Sequence, residues 1–375
     1  MVEIWLHGRL ADNGAEALRL AAAAGVQNVV MGASREEAQA VRTAGMKPWV
    51  CIASFPAQAE ERQLLCRSVV GEPVLWFGSG CPNHPLLRQR LIERVRALAD
   101  WDVEGIFLDG IRFASPFEGA DTYFTCTCYW CQAAAVERGF SWARISTGLR
   151  QAQAELPLLS AEIAARFGKG AYGPVDGLPL LLPYPALTEW LRFRAAVITE
   201  TVAQVKETLQ TRAPGKRLGA YLFTPALAPL VGQDYTALAA NLDVVSPMIY
   251  RFGDGPACLP AEVLALATFA PASGQTALAA VLPFLGLESA VRSGRELSQG
   301  MTLDALARES VRARARLGGD TALVPILWLD DPDIAAATAA ALAGRPEGIS
   351  YFATGGGRAI RIQSAASYLR SVGGS

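Results

Sequence analysis

Val103-Glu104-Gly105-Ile106-Phe107-Leu108-Asp109-Gly110-Ile111-Arg112-Phe113 runs from an apolar, β-prone segment straight into a carboxylate. The segment 104–109 lacks the polar/apolar alternation of a sheet with one wet face, so both its faces are expected to be covered. Asp109 then falls where the strand should end. A carboxylate there costs desolvation unless it is paired or employed. Arg112, three residues on, is placed to pair with it or to grip a substrate oxygen. The plainer alternative is a structural Asp–Arg pair that caps the loop.

Outward from this strand the pattern repeats. Short apolar runs at 2–7, 27–32, 48–54, 217–224, 243–250, 277–284, 321–329 and 348–353 alternate with longer helical stretches. Residues 84–100 align Leu87, Leu91, Val95 and Leu98 on one stripe, and 188–210 align Trp190, Phe193, Val197, Thr201, Val205 and Leu209 on another. Thr188 is the expected N-cap of the second helix, with Glu189 in its first turn. Residues 361–372 supply a closing helix. Such alternation predicts βαβ units and a parallel sheet. At 375 residues the fold class is a single (β/α)8 TIM barrel spanning 1–375. Nine strand candidates compete for eight places; 277–284 is assigned to an insertion, and 348–353 is the surplus strand otherwise. Residues 114–187, rich in Pro, Gly and aromatics, form a long insertion after strand 4, read as a lid subdomain at the face where barrel active sites lie.

Hydrophobic residues make up 51% of the chain and charged residues 18%, with net charge −1. That balance argues against nucleic acid or an anionic membrane surface as a partner, because both need clustered Lys and Arg. The run Arg308, Arg312, Arg314, Arg316 reads as the solvated face of one helix. The longest apolar run, 276–287, is too short to span a bilayer and contains Pro283. The N-terminus lacks the features of a signal peptide. Localisation is expected to be cytoplasmic, and association into a homo-oligomer is compatible with the composition.

Seven cysteines is an odd number, and three of them crowd into Cys126-Thr127-Cys128-Tyr129-Trp130-Cys131. This suits metal binding in a reducing compartment better than a disulfide framework. Zinc takes four soft or borderline ligands in a tetrahedron. The fourth is Cys81, in Gly80-Cys81-Pro82-Asn83-His84, with His84 as its competitor. Only two histidines are present, which disfavours a catalytic zinc with an open, His-rich shell. The C-x-C-x2-C spacing also differs from the C-x3-C-x2-C of radical iron–sulfur enzymes. The alternative is a set of buried thiols acting as small hydrophobes. Cys51, Cys66 and Cys258 are assigned to the core.

Other strand ends converge on the same mouth: His7, Tyr221, Tyr250 with Arg251, Trp328, and Asp330 with Asp331. Aromatic rings beside carboxylates suit a sugar, whose apolar face stacks while acids handle the glycosidic oxygen. Singly, each ring is more often barrel packing. Pro247-Met248 marks a strained turn after strand 6. Thr354-Gly355-Gly356-Gly357-Arg358, before the last helix, is a phosphate-site candidate or a plain turn.

Cys81 before a helix, a strand ending in an acid, and Cys126-x-Cys128-x2-Cys131 together resemble the zinc-containing β-galactosidases of glycoside hydrolase family 42 and hypothetical glycosyl hydrolases related to them. The resemblance covers roughly residues 75–200, including Trp190-x2-Phe193-Arg194. It implies a structural zinc on Cys81, Cys126, Cys128 and Cys131, and hydrolysis of a carbohydrate by two carboxylates. The family's Asn-Glu pair is replaced here by Leu108-Asp109, and its nucleophilic Glu on strand seven has no clear counterpart. Asp330 takes that place in the preferred register and Glu288 in the other. The expected function is a glycoside hydrolase using Asp109 and Asp330, with His7, Arg112, Tyr221, Tyr250, Arg251 and Trp328 holding the sugar. The alternatives are a non-catalytic glycan-binding or interaction barrel, and a phosphate-dependent barrel enzyme using 354–358.

Overall fold

A computed structural model describes residues 2–8, 14–167, 182–269, 281–283, 285–287 and 300–352. Eight barrel strands follow in order: β1 (Glu3–His7), β2 (Asn28–Met31), β3 (Lys47–Ala53), β4 (Gly105–Asp109), β5 (Arg217–Phe223), β6 (Val244–Met248), β7 in two pieces (Ala322–Leu323 and Ile326–Trp328) and β8 (Gly348–Phe352). Neighbours pair in parallel all the way round, and β1 pairs with β8 from Glu3↔Gly348 to His7↔Phe352, which closes the ring. β7 is split because Pro325 has no N–H to give the ladder. Its first piece pairs β6 through Val245↔Leu323, its second β8 through Ile326↔Ser350.

The helices are α1 (Gly14–Ala23), α2 (Arg35–Thr43), α3 (Pro85–Ala99), α4 (Ala120–Tyr123), α5 (Tyr129–Glu137), α6 (Trp142–Phe167), α7 (Pro185–Arg212), α8 (Tyr235–Ala239), α9 (Leu259–Thr268), α10 (Leu303–Ala315) and α11 (Ile334–Ala341). The described part of the expected insertion holds α4, α5 and α6. The apolar stripes of α3 and α7 are buried as their periodicity requires: Leu87, Leu91 and Val95 on one, Phe193, Val197 and Val205 on the other. The barrel interior is filled at its lower end by rings. Trp5 and Trp49 lie 5.0 Å apart, and Phe107 is 5.5 Å from Trp49. Two glycines make room for them. A Cβ on Gly105 would sit 2.5 Å from the Trp49 ring, and one on Gly219 2.6 Å from Phe107.

Several expectations are corrected. Thr188 is not the N-cap of α7, because Tyr184 takes that position with Pro185 in the first turn, where its missing N–H is no loss. Glu189 instead accepts the Ser141 N–H at 2.9 Å and pairs with Arg144. The arginines of α10 are not one solvated face. Arg312 pairs with the buried Glu309 at 2.6 Å, Arg314 with Glu347 at 2.5 Å, and Arg316 reaches the Pro225 carbonyl. Of 277–284, Val281–Pro283 is described, and it is helical; the ring closes without that segment, with 348–352 inside it. The helix expected at 361–372 lies outside the described residues. No described helix is long and apolar enough to cross a membrane.

Candidate functional site

The C-terminal strand ends surround a cavity of about 230 Å³. His7, Asp109, Tyr221, Ile326 and Phe352 line it from the strands. Arg112, Tyr250 and Trp328 join them, together with Phe77 from the loop after β3 and Ala257 from the loop after β6. Among the described residues Asp109 is the one carboxylate in the lining. It is the last residue of β4, in register with Ala53 of β3. Its backbone carbonyl accepts both the amide and the hydroxyl of Ser54, at 2.8 and 2.7 Å. Its Oδ1 accepts the Gly110 N–H at 2.8 Å, a turn that Gly110 makes at φ +61. Burial pushes the Asp109 carboxyl above its ordinary range, while the Gly110 amide and the Arg112 charge pull the other way.

Arg112 does not form a contact ion pair with Asp109. Its guanidinium lies 4.7 Å from the centre of Trp76, 4.7 Å from Phe223 and 5.9 Å from Phe77, and its Nη1 donates to the Phe113 carbonyl. Burial lowers its pKa, and Glu262, Glu118 and Asp109 oppose that from nearby. The expected capping pair is thus a longer-range attraction, with the cation held by rings.

His7 Nδ1 and the Tyr221 hydroxyl are hydrogen-bonded at 2.6 Å. Tyr250, Trp328 and Phe352 form an edge-to-face collar, with Tyr250–Trp328 at 5.6 Å and Trp328–Phe352 at 5.7 Å. The structure therefore brings His7, Asp109, Arg112, Tyr221, Tyr250 and Trp328 together. It does not bring Asp330 or Arg251 into the lining. Asp330 accepts the Trp328 indole N–H at 3.1 Å. Arg251 is buried against Asp331 at 2.6 Å and Asp333 at 3.0 Å, and donates to the Met301 carbonyl. A buried guanidinium needs such partners, and these take both of its terminal nitrogens. Glu288 and Thr354–Arg358 lie outside the described residues. The strain expected at Pro247-Met248 falls elsewhere: the non-glycine residues with left-handed backbone at the mouth are Phe77 (φ +43) and Ala257 (φ +65).

Sequence reasoning missed Glu262. It is fully buried on α9; Oε1 accepts the Ser115 hydroxyl and the Ala257 amide, and Oε2 the Phe117 amide. The signal was a lone acid in Leu259-Pro260-Ala261-Glu262-Val263-Leu264, where an unpaired charge would be untenable.

Beside this mouth, in the loops after β3 and β4, the sulfurs of Cys81, Cys126, Cys128 and Cys131 lie within 4.8 Å of one another, a group able to hold a metal ion. Cys81 is 3.5 Å from both Cys128 and Cys131. A tetrahedron with metal–sulfur bonds of about 2.3 Å has edges of about 3.8 Å, close to this spacing. Two donors already point at sulfur: Asn83 Nδ2 at Cys131 and the Arg67 amide at Cys126, each 3.2 Å away. Four thiolates and a divalent ion carry a net charge of about −2, and two largely buried guanidiniums face them. Burial lowers the pKa of Arg88, which the charges of Cys81 and Cys131 oppose. Burial pulls Arg194 down to about 10, opposed by Tyr123, Cys66, Cys131 and Cys126. Arg194 also donates to the Tyr123, Thr125 and Leu230 carbonyls. The donor set and its counter-charges fit a soft or borderline divalent cation. The group includes Cys81 and not His84, whose Nδ1 caps α3 through the Leu86 amide and whose ring packs on Trp130. Cys66 is a fully buried member of the hydrophobic core, as expected.

Fold and site define a closed (β/α)8 barrel with an aromatic-walled mouth and a four-cysteine cluster. No known family model and no curated sequence matches the chain. Among solved structures it is similar to the β-galactosidase of the psychrophilic Marinomonas ef1, at 13% identity and TM-score 0.59, over 99% of this chain and 60% of that one. It is also similar to β-galactosidases of Halorubrum lacusprofundi (13%, 0.57, 98% and 57%) and Bacillus circulans sp. alkalophilus (12%, 0.56, 99% and 56%). The chain thus spans about three fifths of the length of these proteins. At such identities the likeness establishes the TIM-barrel fold.

Proposed function

We propose that this barrel is a glycoside hydrolase acting at the mouth cavity, with Asp109 as the carboxyl that exchanges a proton with the glycosidic oxygen. The observation that carries the reading is the position of Asp109: a strand-end carboxyl, raised by burial, among the rings of Tyr250, Trp328 and Phe352. A carboxyl raised by burial holds its proton to higher pH than a free one, the direction a general acid requires. The Gly110 amide fixes Oδ1, which orients the other oxygen for the transfer. The rings take the apolar face of the sugar, and Arg112 and Tyr221 supply polar contacts to its hydroxyls. The β-galactosidase titles of the structural neighbours support a carbohydrate substrate.

Asp330, expected from the sequence as the partner carboxylate, accepts the Trp328 indole N–H outside the cavity lining, so it serves a sugar there only by leaving that bond. A panel of aryl glycosides tests the activity. Turnover of at least one of them, lost in Asp109→Asn with folding intact, supports it; full activity in that variant removes Asp109 from the mechanism.

One observation favours a second reading, a barrel that binds a glycan without cleaving it. Asp331 and Glu262 are committed to internal bonds, and Asp109 is the one described carboxylate lining the cavity. Saturable glycan binding without released product would select it.

For the cysteine cluster the proposed ion is zinc, on Cys81, Cys126, Cys128 and Cys131. Four protein ligands leave no open position, so zinc would cross-link the loops after β3 and β4 and take no part in proton transfer. Metal analysis of the purified chain tests this.

A further inference from the structure

Arg112 is a buried cation without a contact counter-ion. It is 3% exposed and lines the cavity, three residues beyond Asp109. Among the described residues no carboxylate lies within ion-pair distance of it, in contrast to Arg251, which has Asp331 at 2.6 Å and Asp333 at 3.0 Å. The acids around it are turned elsewhere. Glu262 accepts from Ser115, Ala257 and Phe117, and Asp109 accepts from Gly110. Trp76 and Phe223, each centred 4.7 Å from the guanidinium carbon, hold the group in place but bring no charge to it. Nη1 donates to the Phe113 carbonyl at 2.9 Å, and among the described residues this is the one hydrogen bond the side chain makes. Nε and Nη2 lie side by side along one edge of the guanidinium and keep their protons unpaired. Two parallel N–H donors form the fork that matches the two oxygens of a planar carboxylate.

We propose that the sugar taken at the mouth is a uronic acid, whose C6 carboxylate is held by the Nε–Nη2 edge of Arg112 where a neutral hexose would offer a hydroxyl. The inference rests on the proposed glycoside site and names its substrate class. A hydroxyl can accept one of the two bonds, but it leaves the buried charge uncompensated, and that is the costly state. A carboxylate fills both donor positions and brings the missing charge. The rings of Tyr250, Trp328 and Phe352 remain free to take the apolar face of the same sugar. Burial holds the Asp109 carboxyl toward its neutral form, so it does not repel an anion bound beside it.

The test uses the phenyl 1-thioglycosides of glucose, galactose, glucuronic acid and galacturonic acid in both anomers, whose sulfur linkage resists hydrolysis. Their affinities for the full chain are read by calorimetry. At least one uronide is expected to bind at least about tenfold tighter than the neutral glycoside of the same configuration, the scale of a hydrogen-bonded charge. The corresponding uronamide, of the same shape but neutral, should fall back to the level of the neutral glycoside, a comparison that leaves the protein unaltered. Arg112→Gln should erase the preference, and Arg112→Lys should keep part of it, because lysine retains the charge but not the fork. Uronides that bind no tighter than the neutral glycosides, or a preference that survives in Arg112→Gln, overturn the proposal. Tight, Arg112-dependent binding with no cleavage of the matching oxygen-linked uronide removes the hydrolase reading and leaves the carboxylate site standing.

Discussion

The Glu262 carboxylate accepts the Ser115 hydroxyl at 2.7 Å, which fastens the loop after β4 to the helix behind β6. The same carboxylate holds the amides of Phe117 and Ala257, and Ala257 lines the cavity. Glu262→Ala leaves three donors without their acceptor. The expected loss of stability is about 3 kcal/mol or more, with a smaller loss for Glu262→Gln, which keeps shape and part of the bonding. Urea unfolding of the three proteins measures it, and equal midpoints would exclude a bracing role.

Asp109 predicts both a rate and a pH dependence. Asp109→Asn should lower kcat/KM by about 10²- to 10⁴-fold, the range for a lost general acid. In wild type the rate should decline on the alkaline side as Asp109 gives up its proton, a limb that the variant lacks. Steady-state profiles of both proteins decide the matter.

The same group leaves a mark on stability. Its folded pKa is raised by burial above the ordinary value of 3.8. Its contribution is therefore fully present below about pH 4 and is lost as pH rises through the raised value. The unfolding free energy of wild type minus that of Asp109→Asn should fall across this window and level off above it. A difference that rises with pH would mean that ion pairing, not burial, dominates at Asp109.

Arg251→Ala would strip Asp331, itself buried, of its guanidinium. Leaving such a charge uncompensated costs about 3–5 kcal/mol. Because Arg251 is outside the cavity lining, ligand affinity at temperatures where the variant stays folded should match wild type. Calorimetric binding beside thermal unfolding separates the two effects.

Chelation should lower the unfolding temperature of a zinc-loaded chain, and readdition of zinc should restore it in proportion to occupancy. Differential scanning calorimetry at several zinc concentrations reads this directly. A melting point indifferent to zinc would deny the cluster a bracing role.

The barrel was legible because covered strands leave a strong mark: β4 is apolar to Leu108 and ends on Asp109, and α3 and α7 repeat every three to four residues. The break in β7 at Pro325 was readable from proline alone, yet the flanking apolar residues masked it. Tyr184 replaced Thr188 at the start of α7 because the proline at 185 fixes the first turn more strongly than a hydroxyl caps it. Three cysteines of the cluster were readable from spacing, and Cys81 only from the adjacency of the loops after β3 and β4. Arg251 and Asp330 stand at strand ends as read, but their directions were not legible: one turns to Asp331 and the other to the indole of Trp328. Strand position fixes which end of a barrel a residue occupies, whereas side-chain direction beyond the strand depends on partners distant in the chain.

The rings of Trp5, Trp49 and Phe107, seated over Gly105 and Gly219, plug the far end of the barrel. The mouth therefore opens onto a blind well. Among the described residues, whatever descends past Phe77 and Trp328 climbs back out the same way, so arrival and departure take turns.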